Sequence, residues 1–83
     1  MTEFSIIIPT LNEAPRLQFL LPYLRKNLSA KASAEIIVAD GGSSDGTPDI
    51  ARKLGAVVLN TPKGRAVQMN EGAKNARGRI LYF

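Results

Sequence analysis

The chain has 83 residues, 45% of them hydrophobic and 22% charged, and a net charge of +4. That length bounds it to one domain, and the balance is that of a globular chain rather than a disordered one. It contains no Cys and no His, which excludes disulfides, thiolate chemistry, zinc sites and Ser-His or Cys-His catalysis within these residues. Any metal must be held by oxygen ligands, as Mg2+ or Mn2+ would be. The excess of base suits an anionic partner, whether phosphate, nucleic acid or anionic lipid. Met1-Thr2-Glu3 lacks the features of a signal peptide, and no apolar run approaches the ~20 residues of a membrane span. The expected location is cytoplasmic, with peripheral contact at the inner face of the cell membrane as a second expectation.

Phe4-Ser5-Ile6-Ile7-Ile8, closed by Pro9, reads as a strand buried on both faces. A helical pattern then opens at Asn12 and Glu13, with Leu17, Leu20, Leu21, Leu24 and Leu28 forming one apolar face. Pro15 suits a first turn; Pro22 predicts a kink or a break into two helices. Residues 29–33 read as a small-residue loop. Glu35-Ile36-Ile37-Val38-Ala39-Asp40 is a second buried strand, and Gly41-Gly42-Ser43-Ser44-Asp45-Gly46 a turn cluster.

Thr47-Pro48-Asp49 reads as cap, first-position proline and first-turn acid of a helix that reaches Leu54 and stops at Gly55. Residues 56–60 form a third strand. A helix over 65–76 places Ala66, Met69, Asn70, Ala73 and Ala76 on its inner side, and Gly78 stops it. Arg79-Ile80-Leu81-Tyr82-Phe83 begins a fourth strand. The order β-α-β-α-β-α-β predicts an α/β fold with a parallel sheet. Ligands in such sheets lie beyond the carboxyl ends of the strands, which directs attention to residues 9–13, 40–46 and 60–65.

The first of these loops, Pro9-Thr10-Leu11-Asn12-Glu13, has no glycine. A dinucleotide fold needs Gly-x-Gly-x-x-Gly there, so a nicotinamide oxidoreductase is disfavoured. Lys63-Gly64-Arg65 has the wrong order for a phosphate loop. In the second loop, Asp40 sits where a buried strand meets solvent, beside two glycines that have no packing purpose, and it can accept from a base imide or a ribose hydroxyl. Asp45 and Thr47 read as helix caps. Arg65 falls at a helix N-terminus, unfavourable for the helix alone but suited to an anion. Gln68 and Asn70 are polar groups on an otherwise Ala- and Met-rich helix, with Asn70 read as a satisfied core amide.

Three stretches, 5–13, 36–47 and 64–72, together resemble the opening half of family 2 glycosyltransferases. The stretch Gly64-Arg65-Ala66-Val67-Gln68-Met69-Asn70-Glu71-Gly72 looks most like a bacterial subgroup grouped with carotenoid-ester and arsenosugar glycosylation. The resemblance implies a three-layer Rossmann-like GT-A fold, with residues 1–83 as the incomplete nucleotide-sugar-binding part of the domain. It implies binding of a nucleotide-diphospho-sugar of UDP or GDP type, usually with Mg2+ or Mn2+. Pro9, Thr10 and Glu13 would border base and ribose, Asp40 would contact the nucleoside, and Arg65 would reach the base or the diphosphate. Many members carry a second acid where this chain has Gly41, which leaves the choice of base open. The family's Asp-x-Asp metal motif, acceptor site and base fall after the fourth strand, so nucleotide binding without transfer is expected of these residues.

The alternative is a non-enzymatic basic module for nucleic acid or an anionic membrane. The basic residues are scattered and only five aromatics are present, so a nucleic-acid partner is not expected. An unprotected fourth strand predicts self-association through its edge.

Overall fold

The computed structural model describes residues 2–28 and 33–83. It contains β1 (Phe4–Thr10), α1 (Ala14–Leu28), β2 (Ala34–Asp40), α2 (Thr47–Lys53), β3 (Val57–Asn60), α3 (Arg65–Lys74) and β4 (Arg79–Tyr82). The seven elements follow the expected order. The expected loop at 29–33 lies, save for Ser33, outside the described residues.

The strands form one parallel sheet in the order β3-β2-β1-β4. β1 and β2 are covered on both faces, which is why both read as continuous apolar runs rather than alternating ones. Ile6 and Ile8 of β1 and Ile36 and Val38 of β2 pack with Leu17, Leu21, Leu24, Ala51 and Ala56 in one core. α1 and α2 therefore lie on one face. α3 covers the other, where Ile7 and Ile37 are fully buried. Each such aliphatic side chain contributes roughly 1.5–3 kcal/mol on leaving water.

The sequence predicts a kink or break at Pro22, yet α1 is one unbroken helix of 15 residues. Pro22 is exposed, so the carbonyl that loses its partner one turn back can be hydrated. Of the leucine stripe, Leu17, Leu21 and Leu24 are buried and Leu20 is half-buried.

The inner face of α3 differs more. Asn70 and Ala66 are exposed, while Gln68 and Gly72 are the buried residues. The helix is rotated from the expected face because Gly72 brings the backbone itself onto β1. A Cβ at Gly72 would stand 2.4 Å from Ile7 Cγ2. Counting side chains alone hides a face built on an absent one.

At the amino edge the Ser5 hydroxyl donates to Glu35 Oε2 (2.6 Å) and accepts from Gly78 N (2.9 Å), and Arg77 N donates to the same carboxylate oxygen (2.8 Å). This latch fixes the entry into β4 against the first two strands. All residues of β4 are nonetheless exposed.

Gly72→Ala tests the α3 contact. Helix propensity alone would gain ~1 kcal/mol, but overpacking against a β-branched side chain of the central strand costs about 1–3 kcal/mol. Net destabilisation in urea titration is the expected outcome.

Candidate functional site

The carboxyl edge brings together three loops, and their side chains zip them to one another. Asn12 adopts a left-handed conformation (φ 54°), which asparagine tolerates better than most residues. Its N–H donates to Ser43 Oγ (2.8 Å), and its Oδ1 accepts from Ser44 N (2.8 Å). Next in sequence, Glu13 N donates to Thr47 Oγ1 (2.9 Å) and Ala14 N to Asp45 Oδ2 (3.1 Å). The first N–H groups of α1 are thus satisfied from the loop after β2.

This changes the roles of Asp45 and Thr47. Asp45 caps, as expected, but serves the starts of both α1 and α2, whereas Thr47 accepts at the entry to α1 instead of capping α2. Asp45 Oδ1 also accepts from Thr47 N (3.0 Å) and from the Thr47 hydroxyl. Thr47 is the first residue of α2 rather than its cap, a position held by Gly46, and its side chain is fully buried. Hydrogen bonding from the Thr47 hydroxyl, foremost, holds the Asp45 carboxyl below its ordinary pKa.

Asp40, at the end of β2, is 1% exposed. Its Oδ1 accepts from the hydroxyls of Thr10 (2.8 Å) and Ser43 (2.5 Å), and its Oδ2 from the N–H groups of Gly42 (3.1 Å) and Ser43 (2.8 Å). Burial alone would raise its pKa. The Ser43 hydroxyl and N–H, the Thr10 hydroxyl and the Gly42 N–H outweigh burial and hold it below the ordinary value. Asp40 thus shapes the loop from beneath, with both oxygens engaged inside the protein.

Gln68 is the second organiser. Its side chain is 5% exposed and reaches from α3 under the loops. Nε2 donates to Thr10 O (2.9 Å) and Ala39 O (2.8 Å), and Oε1 accepts from Gly64 N (3.2 Å). One amide joins the tips of β1 and β2 to the residue that precedes α3. Gly41 lies directly against it, and a Cβ there would stand 2.8 Å from Gln68 Oε1. The glycine after Asp40 does have a packing purpose, contrary to the sequence reading. The core amide of α3 is Gln68 and not Asn70.

The expected site residues therefore occupy one edge at different depths. Thr10 and Asp40 are buried, Pro9 and Glu13 half-buried, and Arg65 exposed as the first residue of α3. Glu13 accepts from Leu11 N (3.3 Å) and pairs with Arg16. The first-turn N–H groups of α3 have no partner within the helix, and Lys63 and Arg65 flank them. The edge thus offers cations and N–H donors to an anion. The residues that sequence reasoning missed are Asn12, Ser43 and Gln68. Gly72, four residues after Gln68, was the available sign of the buried face.

The carboxylates do not fit a metal by themselves. Both Asp40 oxygens are hydrogen-bonded internally, and the described residues contain no group of three acids that could hold an ion.

The structure is a parallel α/β sheet whose carboxyl edge carries Asp40 and Arg65 and whose first loop has no glycine. The profile of glycosyl transferase family 2 matches residues 5–83, and the chain belongs to that family. It is 42% identical over 67 residues to the succinoglycan biosynthesis protein ExoA of Rhizobium meliloti, covering 75% of this chain and 20% of that protein. It is 47% identical over 59 residues to the 4,4'-diaponeurosporenoate glycosyltransferase of Staphylococcus haemolyticus, covering 70% of this chain and 15% of that one. The chain thus spans a fifth or less of these two relatives. Among solved structures, TarS of S. aureus (residues 1–349) superposes with a TM-score of 0.82 at 30% identity, covering 99% of this chain and 27% of that one. The mannosyltransferase PcManGT of Pyrobaculum calidifontis, solved with GDP-Man and Mn2+, superposes with a TM-score of 0.76 at 26% identity, covering 89% and 24%. The fold is GT-A, as the resemblance implied.

The Asp40 network sets a pH dependence. Its folded pKa is depressed, so its stabilisation is complete above the unfolded value of ~3.9 and is lost as pH falls through the lower folded value. Asp40→Asn should destabilise the fold by about 1–3 kcal/mol at pH 7. The gap between variant and wild type, read by urea titration, should narrow below about pH 4.

Proposed function

We propose that these residues form the donor-nucleotide half of a glycosyltransferase, taking a nucleotide-diphospho-sugar of UDP or GDP type for transfer to an acceptor hydroxyl. The observation that carries this reading is the carboxyl edge itself: α3 begins there, with Arg65 in its first turn, beside strand tips joined by Gln68. A diphosphate accepts from helix N–H groups and from a guanidinium at once, and the dipole of α3 favours it. The loops ordered by Asp40, with Pro9, Thr10 and Glu13 beside them, supply the wall for base and ribose. The GDP-Man and Mn2+ of the Pyrobaculum mannosyltransferase support the same ligand class and a divalent cation in the complete enzyme.

Binding and transfer separate in this reading. The chain covers about a quarter of the TarS and PcManGT chains, and both oxygens of Asp40 are already committed. The cation that bridges the diphosphate and the base that activates the acceptor belong to the complete enzyme. The 83-residue chain binds nucleotide and does not transfer sugar. The exposed outer edge of β4 supports a further part of the proposal, association of copies through that edge.

Calorimetric titration with UDP and GDP in the presence of Mn2+ tests the site. Wild type should bind at least one, and Arg65→Ala should weaken binding about tenfold or more, since a charge-assisted hydrogen bond contributes roughly 1.5–3 kcal/mol. An unchanged affinity in Arg65→Ala would remove Arg65 from the site. Sustained sugar transfer by this chain from a UDP- or GDP-sugar would overturn the division of labour. Sedimentation velocity should show mass rising with concentration; a monomer at all concentrations would refute association.

A further inference from the structure

We propose that Gln68 is a positioning residue, which acts on the nucleotide through Arg65 without touching it. The inference rests on the donor-binding reading above. Gln68 is nearly sealed from solvent and its side-chain amide already has a partner for each N–H and for its oxygen. It has little capacity left for a ligand. What it does hold is the geometry of two separate parts of the edge. Its donors fix Thr10 O and Ala39 O, the carbonyls at the ends of β1 and β2, next to the Asp40 that shapes the second loop. Its acceptor fixes Gly64 N, the backbone group one residue before Arg65.

One side chain therefore bridges the strand tips and the first turn of α3, beside the bond from Thr61 N to Asp40 O (2.8 Å). An exposed arginine on a free loop would sample many positions, and each lost rotamer weakens its grip on an anion. Arg65 instead leaves a backbone pinned at its preceding residue. Gly41 completes the arrangement, because a side chain there would displace the amide. The geometry thus makes residues 41, 64 and 68 one unit that presents residue 65.

A double-mutant cycle separates positioning from general support of the fold. Gln68→Met keeps the volume and removes every hydrogen bond; Gln68→Asn keeps the amide and shortens its reach. Each is combined with Arg65→Ala, and the affinity for UDP and GDP with Mn2+ is measured where circular dichroism shows every variant folded. Both Gln68 substitutions should weaken nucleotide binding tenfold or more when Arg65 is present, and less than twofold when residue 65 is Ala. Equal losses in both backgrounds, or none in a folded variant, would overturn the proposal. So would failure of both substitutions to fold, which would make Gln68 a purely structural residue.

A wild-type chain that binds neither nucleotide would sink the donor-binding reading instead. Hydrogen exchange then decides the positioning claim alone. The N–H groups of Gly64 and Gln68, which bond Gln68 Oε1 and Gly64 O, should exchange at least tenfold faster in a folded Gln68 variant, while those of Ile6 to Ile8 keep their rates. Uniform acceleration, or none at residues 64 and 68, would refute it.

Discussion

The constraint on which the rest of the molecule depends is that the tips of β1 and β2 and the residue before α3 converge on one buried amide. Thr10 O accepts from Gly41 N and from Gln68 Nε2, which also reaches Ala39 O. A buried amide that lost these partners would carry an unsatisfied polar group into the core, so the arrangement is cooperative. It also ties elements distant in sequence. Residues 10, 39, 64 and 68 become neighbours only when α3 packs on its face of the paired β1 and β2.

Asp40 obeys the same logic with a charge. Taking a carboxylate out of water is costly unless its lone pairs are met, and two hydroxyls and two backbone N–H groups meet them. The carboxylate in turn dictates the path of the loop that crosses to α2. That loop supplies Ser43, Ser44, Asp45 and Thr47 to the start of α1. The entry to α1 is consequently engaged by Asp45 and Thr47, whereas α3 begins beside the cations Lys63 and Arg65. The proposed site follows from that difference between the two helix ends.

Much of this was legible in the residues. Ile6-Ile7-Ile8 and Ile36-Ile37-Val38 announce doubly covered strands, and turn chemistry marks the ends of each helix. The carboxyl edge, with Asp40 and Arg65 on it, follows from strand order alone. What sequence reasoning could not reach was depth. It placed Asp40 toward a ligand because hydrogen bonds across the 30 residues separating it from Thr10 are invisible in a linear reading. It chose Asn70 over Gln68 because the apolar stripe of α3 was counted from side chains, whereas contact with Ile7 is made by a glycine. Pro22 misled for a related reason, since its effect on a helix depends on whether the freed carbonyl faces water.

The sheet order β3-β2-β1-β4 carries a consequence for how the chain is built. β1 occupies an interior position and gains its second neighbour only from β4, with Arg79 N donating to Glu3 O and Phe83 N to Ile7 O. Residues up to Asn60 already contain the three strands and two helices that share the larger core, and their contacts are comparatively local. Closing the remaining side requires a loop of more than seventy residues to come together, the slow kind of step in a topology of this sort. Until then the inner edge of β1 stays bare as the nascent chain leaves the ribosome, and its protection during synthesis is a problem of timing rather than of final stability.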